Sequence, residues 1–253
     1  LGDIDLSVGS MYAFIGVVSA LIFKTTESAV LAIIAALVIG TGIGFINGTI
    51  TARFKIPAFI TTLATMSVCS GFAYIITKGT PIGVTNPAFT FLGSGYIAGV
   101  IPLPIIFMLI VLALGYFTMY KTRFGRHIYA CGGNAQAAKW SGINADKIKV
   151  LVFVIAGFLN GFAAIVLAGR LGGGLPSAGD GSEMDVITAV VLGGTSMTGG
   201  KGKLWGVVLG VLIIGVLTVG LTMVGVSTYW QNVIKGVIIV AAVIIDTKGT
   251  KTA

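Results

Sequence analysis

Leu204-Trp-Gly-Val-Val-Leu-Gly-Val-Leu-Ile-Ile-Gly-Val-Leu-Thr-Val-Gly-Leu-Thr-Met-Val-Gly-Val226 contains no charged side chain. A helix crossing the hydrocarbon core of a bilayer needs ~20 mostly apolar residues, and this stretch supplies that length without a break. Runs of the same character cover 4–23, 28–50, 57–77, 98–120, 150–169 and 229–245, with a shorter one at 184–194. Together they take up most of the 253 residues and leave no room for a soluble domain. A transmembrane β-barrel would show segments of about ten residues that alternate in polarity, whereas these runs are continuous and about twice that long. The expected fold is all-α: a polytopic membrane helical bundle with short discontinuous helices, a single transmembrane domain over 1–253 with about eight membrane segments.

Composition agrees. Apolar residues make up 56% of the chain and charged residues 9%, against roughly 25% charged in an average soluble domain. Mean hydropathy is +1.03. So few charges could not cover a water-soluble surface, and so many apolar residues exclude disorder. The net charge is +8, but the cations lie between the apolar runs rather than in one patch. That placement is a topology signal and not a nucleic-acid footprint; no nucleic-acid partner is expected.

The same cations decide whether 184–194 crosses. With all eight segments crossing and the N-terminal end inside, the inner loops hold Arg53, Lys55, Lys121, Arg123, Arg126, Lys139, Lys147, Lys149, Lys201, Lys203, Lys248 and Lys251, twelve cations. The outer loops hold Lys24, Lys78 and Arg170, three. If 184–194 does not cross, Lys201, Lys203, Lys248 and Lys251 change sides and the balance becomes eight against seven. The positive-inside bias selects the first arrangement, with both ends of this chain cytoplasmic. Eleven helical residues rise only about 16 Å, so the remainder of that crossing is irregular backbone, tolerated in a membrane only where protein buries it or water lines it. Its flanks, Gly172-Gly-Gly-Leu-Pro-Ser-Ala-Gly-Asp-Gly-Ser182 and Gly193-Gly-Thr-Ser-Met-Thr-Gly-Gly-Lys-Gly202, suit that. A glycine-interrupted short span points to a translocation path; two ordinary loops around a tilted short helix give the same pattern.

Glycine is 38 of 253 residues, about twice its usual ~7% share. Gly40, Gly44 and Gly48 fall on one helix face, as do Gly157 with Gly161 and Gly206 with Gly210. Such stripes let membrane helices approach closely, and static packing is the expectation. Nucleotide motifs fail. A Walker loop ending at Gly200-Lys201 would need Gly where Thr195 stands and Ser or Thr where Gly202 stands, and Gly42-Ile-Gly-Phe-Ile-Asn-Gly48 is one residue too long for a dinucleotide fingerprint. His127, the one histidine, reads as a surface residue, and Cys69 and Cys131 lie in dissimilar segments without metal-ligand spacing. No catalytic residue, metal or cofactor is expected. Asp180, Glu183 and Asp185 read as solvated at the outer surface. Lys235 is the one ionisable residue deep in a run, with a structural role expected. That scarcity of buried charge weighs against an ion-coupled transporter, so energy would come from another subunit.

The main polar segment is 121–149. Within it, Gly132-Gly-Asn-Ala-Gln-Ala-Ala-Lys-Trp-Ser-Gly142 predicts a short helix with Asn134 as N-cap and Gly142 as its stop. Small residues and an exposed Trp140 suit docking into a partner's groove; resting among lipid headgroups is the other reading.

Three stretches then carry a resemblance: Asp5-Leu-Ser-Val-Gly-Ser10; Gly125-Arg-His-Ile-Tyr-Ala-Cys-Gly-Gly-Asn134 with Ser141-Gly-Ile-Asn144; and Ala189-Val-Val-Leu-Gly-Gly-Thr-Ser-Met-Thr-Gly-Gly-Lys-Gly202. In this order and spacing they resemble the ribose-type permease subunits of bacterial ABC importers, over essentially the whole chain. The resemblance implies about ten membrane helices, of which this sequence would lack the first two, a location in the bacterial inner membrane and import of a monosaccharide such as ribose. It implies a second permease copy or homologue, a cytoplasmic ATP-binding subunit and an extracytoplasmic solute-binding protein as partners, besides membrane lipid. The family's coupling segment maps onto Gly133, Asn134, Ala137, Ala138, Ser141 and Gly142. Candidate pathway residues are Asp5, Ser7, Ser10, Asn47, Thr195 and Ser196, whose polar groups could hydrogen-bond a polyol. An ion-coupled secondary transporter or channel for a small polar solute is the alternative, and a membrane scaffold without flux a third.

Overall fold

The computed structural model describes residues 1–251. Eleven helices are described: α1 Val8–Thr26, α2 Ala29–Arg53, α3 Ala58–Thr77, α4 Pro87–Ser94, α5 Leu103–Lys121, α6 Arg123–Gly133, α7 Ala135–Trp140, α8 Ala145–Leu171, α9 Ser182–Leu192, α10 Leu204–Met223 and α11 Thr228–Lys251. Six of them, α1, α2, α3, α5, α8 and α10, are long and apolar enough to cross a membrane. The expected helical bundle is therefore present. The two further segments expected from the sequence correspond to α9, with 11 residues, and α11, which contains Lys235. Thr252 and Ala253, the C-terminal end expected in the cytoplasm, lie outside the described residues, as do the side chains of Lys248 and Lys251.

Backbone chemistry sets the helix ends. Ser28 caps α2 by accepting from the Leu31 N–H at 3.3 Å. Pro57 precedes α3, and Asn86 caps α4 with Pro87 in its first turn, where a missing N–H costs nothing. α1 closes on Glu27 in the left-handed region (φ 55°), its N–H bonded to the Phe23 carbonyl.

Residues 5–118 and 146–180 form one unit. α1 is its centre, packed on α2 and α3 and on a two-residue strand pair, β1 (Ile82–Gly83) with β4 (Gly173–Gly174). A second pair, β2 (Tyr96–Ile97) with β3 (Ile101–Pro102), closes a hairpin before α5. The buried core gathers Met11, Ile15, Phe23, Ala36, Phe89 and Ile165. Phe23 meets Phe89, and Phe107 of α5 meets Phe162 of α8 edge-on at 5.0 Å. α2 and α8 touch backbone to backbone along the predicted glycine stripes. A Cβ on Gly44 would collide with the Phe153 carbonyl, and one on Gly157 with the Gly40 carbonyl. The predicted stripes are thus the surfaces on which α2 and α8 meet.

The other unit comprises residues 1–4, 119–145 and the chain from 181 onward. In it α9 packs on α10 and α11, and α6 on α7. Gly206 and Gly210 of α10 lie against the carbonyls of Gly193 and Ala189, where any Cβ would clash.

Candidate coupling and pathway elements

The segment 121–149, expected as a polar loop with one short helix, holds two helices. Thr122 opens α6 by accepting from the Gly125 N–H at 3.2 Å. Cys131 lies on this helix and is buried rather than in an open loop; burial pushes its thiol pKa above the ordinary value. Phe124, Ile128 and Cys131, spaced i, i+4, i+7, were the signal for α6. Asn134 joins the two helices. Its N–H ends α6 on the Ala130 carbonyl at 3.1 Å, and its Oδ1 caps α7 by accepting from the Ala137 N–H at 2.9 Å. α7 stops as expected at Gly142, whose φ of 82° is left-handed, with the Ile143 N–H returning to the Ala138 carbonyl. Of the six candidate coupling residues, Gly133, Asn134, Ala137, Ser141 and Gly142 are exposed. Ala138 is 5% exposed and faces inward as the anchor of α7. Trp140 is 80% exposed.

The 193–203 loop joins α9 to α10 and is tied to α6 and the end of α5. The Tyr129 hydroxyl donates to the Gly202 carbonyl at 3.0 Å, and the Leu204 N–H donates to the Tyr120 hydroxyl at 3.0 Å. Burial and the neighbouring Tyr120 phenol raise the Tyr129 pKa above its ordinary value. Within the loop, Ser196 accepts from the Thr198 N–H and shares a 2.9 Å hydroxyl contact with Thr198. Thr195 and Ser196 line a cavity of about 330 Å³ with Tyr129, Gly200, Lys201 and Lys203.

The other four pathway candidates come together in the first unit. Asp5 Oδ1 accepts from the Ser7 N–H at 2.8 Å and from the Ser7 hydroxyl at 2.6 Å. Ser10 donates to the Ser7 carbonyl at 2.9 Å. The Asn47 amide, only 1% exposed, reaches Ser7 Oγ at 3.5 Å and accepts from the Thr65 hydroxyl at 2.5 Å. Asn160 donates to Met11 Sδ at 3.3 Å. A string of polar contacts therefore crosses α3, α2, α1 and α8. Asn47 and Thr65 also border an open groove of about 500 Å³, with Phe14, Thr61 and Phe72. Thr65, Thr61 and Asn160 were not singled out in the sequence, since hydroxyl and amide side chains inside apolar runs carry no periodic signal.

The expectation that Asp185 is merely solvated does not hold. Lys235 Nζ on α11 lies 2.6 Å from Asp185 Oδ1 on α9, with side-chain exposures of 10% and 38%. The contact is one of charge rather than of a well-aligned hydrogen bond. Lys235 therefore ties α11 to α9. Among the described residues no group of His, Cys, Asp and Glu could hold a metal.

Six long apolar helices, a capped pair of short helices and a short glycine-flanked helix together describe a polytopic membrane protein. A family model described as "Branched-chain amino acid transport system / permease component" matches residues 1–243. The chain belongs to this family. Among its relatives, the ribose import permease protein RbsC of Haemophilus influenzae is 43% identical over 256 residues, covering 99% of this chain and 79% of the relative. RbsC of Escherichia coli (strain K12) is 44% identical over 249 residues, 97% of this chain and 77% of the relative. The L-arabinose transport system permease protein AraH of the same organism is 40% identical over 245 residues, 97% of this chain and 74% of the relative. No solved structure matches significantly. The resemblance to ribose-type permeases is borne out, and this permease is a multi-pass membrane protein.

Proposed function

We propose that this permease forms the translocation pathway of an ATP-driven ABC importer for a monosaccharide such as ribose, and that it does so with partners that supply what it lacks. The observation that carries the energy source is α7: a six-residue helix, capped at one end and stopped at the other, with exposed residues on its outer side and Trp140 beside them. An ATP-binding subunit on the cytoplasmic side grips this helix. Hydrolysis belongs to that subunit, and the permease itself catalyses nothing. The substrate class is supported by the relatives, a ribose import permease and an L-arabinose transport system permease. Asp5, Ser7, Ser10, Asn47, Thr195 and Ser196 offer hydroxyl, carboxylate and amide groups to a sugar while the helices part. A second permease copy or homologue completes the path, and an extracytoplasmic solute-binding protein delivers the sugar, so tight binding inside the membrane is unnecessary.

ATP-driven closure of the partner displaces α7 and shifts the permease between outward- and inward-open states. Such a shift requires that α7 makes different contacts in the two states. The test replaces Ala137, whose side chain is exposed, with Trp. Co-purification of the ATP-binding subunit and ribose uptake are then measured. Loss of both is expected; wild-type values for both remove the docking reading. Uphill uptake by the permease alone, driven by a proton or sodium gradient, would establish the ion-coupled alternative.

A further inference from the structure

We propose that α6 is the transmission element of the permease, carrying the displacement of α7 into the 193–203 loop through Gly132, Gly200 and Tyr129 as positioning residues. The inference rests on α7 being the coupling helix. Three ties bind α6 and its neighbour to this loop. The first is backbone on backbone: a Cβ on Gly132 would stand 2.6 Å from the Gly200 amide nitrogen, and one on Gly200 would stand 2.6 Å from the Gly133 Cα. The second is the bond from the Tyr129 hydroxyl to the Gly202 carbonyl. The third fixes the point where the loop enters α10: the Leu204 N–H donates to the Tyr120 hydroxyl at the end of α5.

The kind of contact matters. A push delivered through long side chains is absorbed by changes of rotamer. A push between two glycine backbones has no rotamer to absorb it, and packed interfaces shift between discrete arrangements rather than yielding continuously. At the other end, Asn134 is the single residue between α6 and α7, and it is bonded to both, so the two helices cannot swivel freely. The loop they press on carries Thr195 and Ser196 at the cavity and joins α9 to α10. Gly199 and Gly200 hold φ of +88° and +73°, conformations that leave other residues strained, so the loop keeps its shape only with glycine there.

The experiment reconstitutes the permease with its ATP-binding subunit and solute-binding protein in liposomes. Subunit co-purification, ATP hydrolysis and ribose accumulation are measured for Gly132→Ala, Tyr129→Phe and a control, Gly215→Ala, where a Cβ meets nothing within 4 Å. The subunit should co-purify and hydrolysis should continue in every variant. Ribose accumulated per ATP should fall about tenfold in Gly132→Ala and about fivefold in Tyr129→Phe, the range of an ordinary coupling free energy, and should stay unchanged in the control. If Gly132→Ala does not assemble, Tyr129→Phe decides, since it removes one oxygen atom. Wild-type accumulation per ATP in Tyr129→Phe overturns the inference, as does a proportional loss of hydrolysis and uptake, the signature of a part that only supports the fold. Uphill ribose uptake by the wild-type permease without the ATP-binding subunit overturns the functional reading and this inference with it.

Discussion

At the scale of single residues, the ion pair between Lys235 and Asp185 shows how charge is tolerated in an apolar chain. Removing water from a lone ammonium or carboxylate costs several kcal/mol, and a partner repays that only when it is close. Lys235→Met leaves Asp185 without its partner. The pair is partly exposed, so the loss lies between the values for surface and buried pairs, about 2 kcal/mol. A lowered thermal midpoint in detergent, recovered by the exchanged pair Lys235→Asp with Asp185→Lys, is the expected result. Cys131 offers a second check. Its thiol is buried and its pKa raised by that burial, so the reactive thiolate is scarcer at neutral pH than for an open cysteine. Alkylation of folded permease should be slow and should accelerate as pH rises beyond the usual thiol range, while denatured permease reacts at once.

At the scale of elements, the α2–α8 seam separates glycines that matter from glycines that do not. Gly44→Ala puts a methyl group into the Phe153 carbonyl and should destabilise the permease by about 1–3 kcal/mol. Gly42→Ala, two residues away on the same helix, meets nothing within 4 Å and should be neutral or slightly stabilising. Thermal melting of the two variants reads the difference directly. The glycine faces were legible in the sequence because a repeat of four residues fixes a helix face, whereas the pairing of α2 with α8 was not. The eight apolar segments were legible too, because length and hydrophobicity alone specify a crossing. α6 was harder: its apolar spacing is short and interrupted by Arg123, Arg126 and two terminal glycines. The pairing of Ile82–Gly83 with Gly173–Gly174 was invisible, since nothing local in either stretch names a partner some ninety residues away. Asn134→Ala removes the α7 cap and should cost about 1 kcal/mol of local stability, read as faster amide exchange in 135–141.

At the scale of the whole molecule, the cation distribution argued for both ends on one side, and this orientation has its own test. A cysteine at Lys139, in exposed α7, should react with a membrane-impermeant maleimide only in inside-out vesicles, whereas one at Lys78 should react only from the opposite side. The pathway residues show the limit of sequence reading at this scale. Ser7 and Asn47 were named in the sequence as groups able to hydrogen-bond a polyol, whereas their contact with one another and with Thr65 depends on three helices meeting.

Trp140 has one more consequence. The other two indoles, Trp205 and Trp230, stand in α10 and α11, whereas Trp140 stands on the short helix proposed as the handle. It is therefore an optical gauge built into the chain: its emission should be long-wavelength and easily quenched by iodide in the isolated permease, then shift to the blue and become shielded when the ATP-binding subunit covers it. Titrating that subunit would give the docking affinity with no label attached.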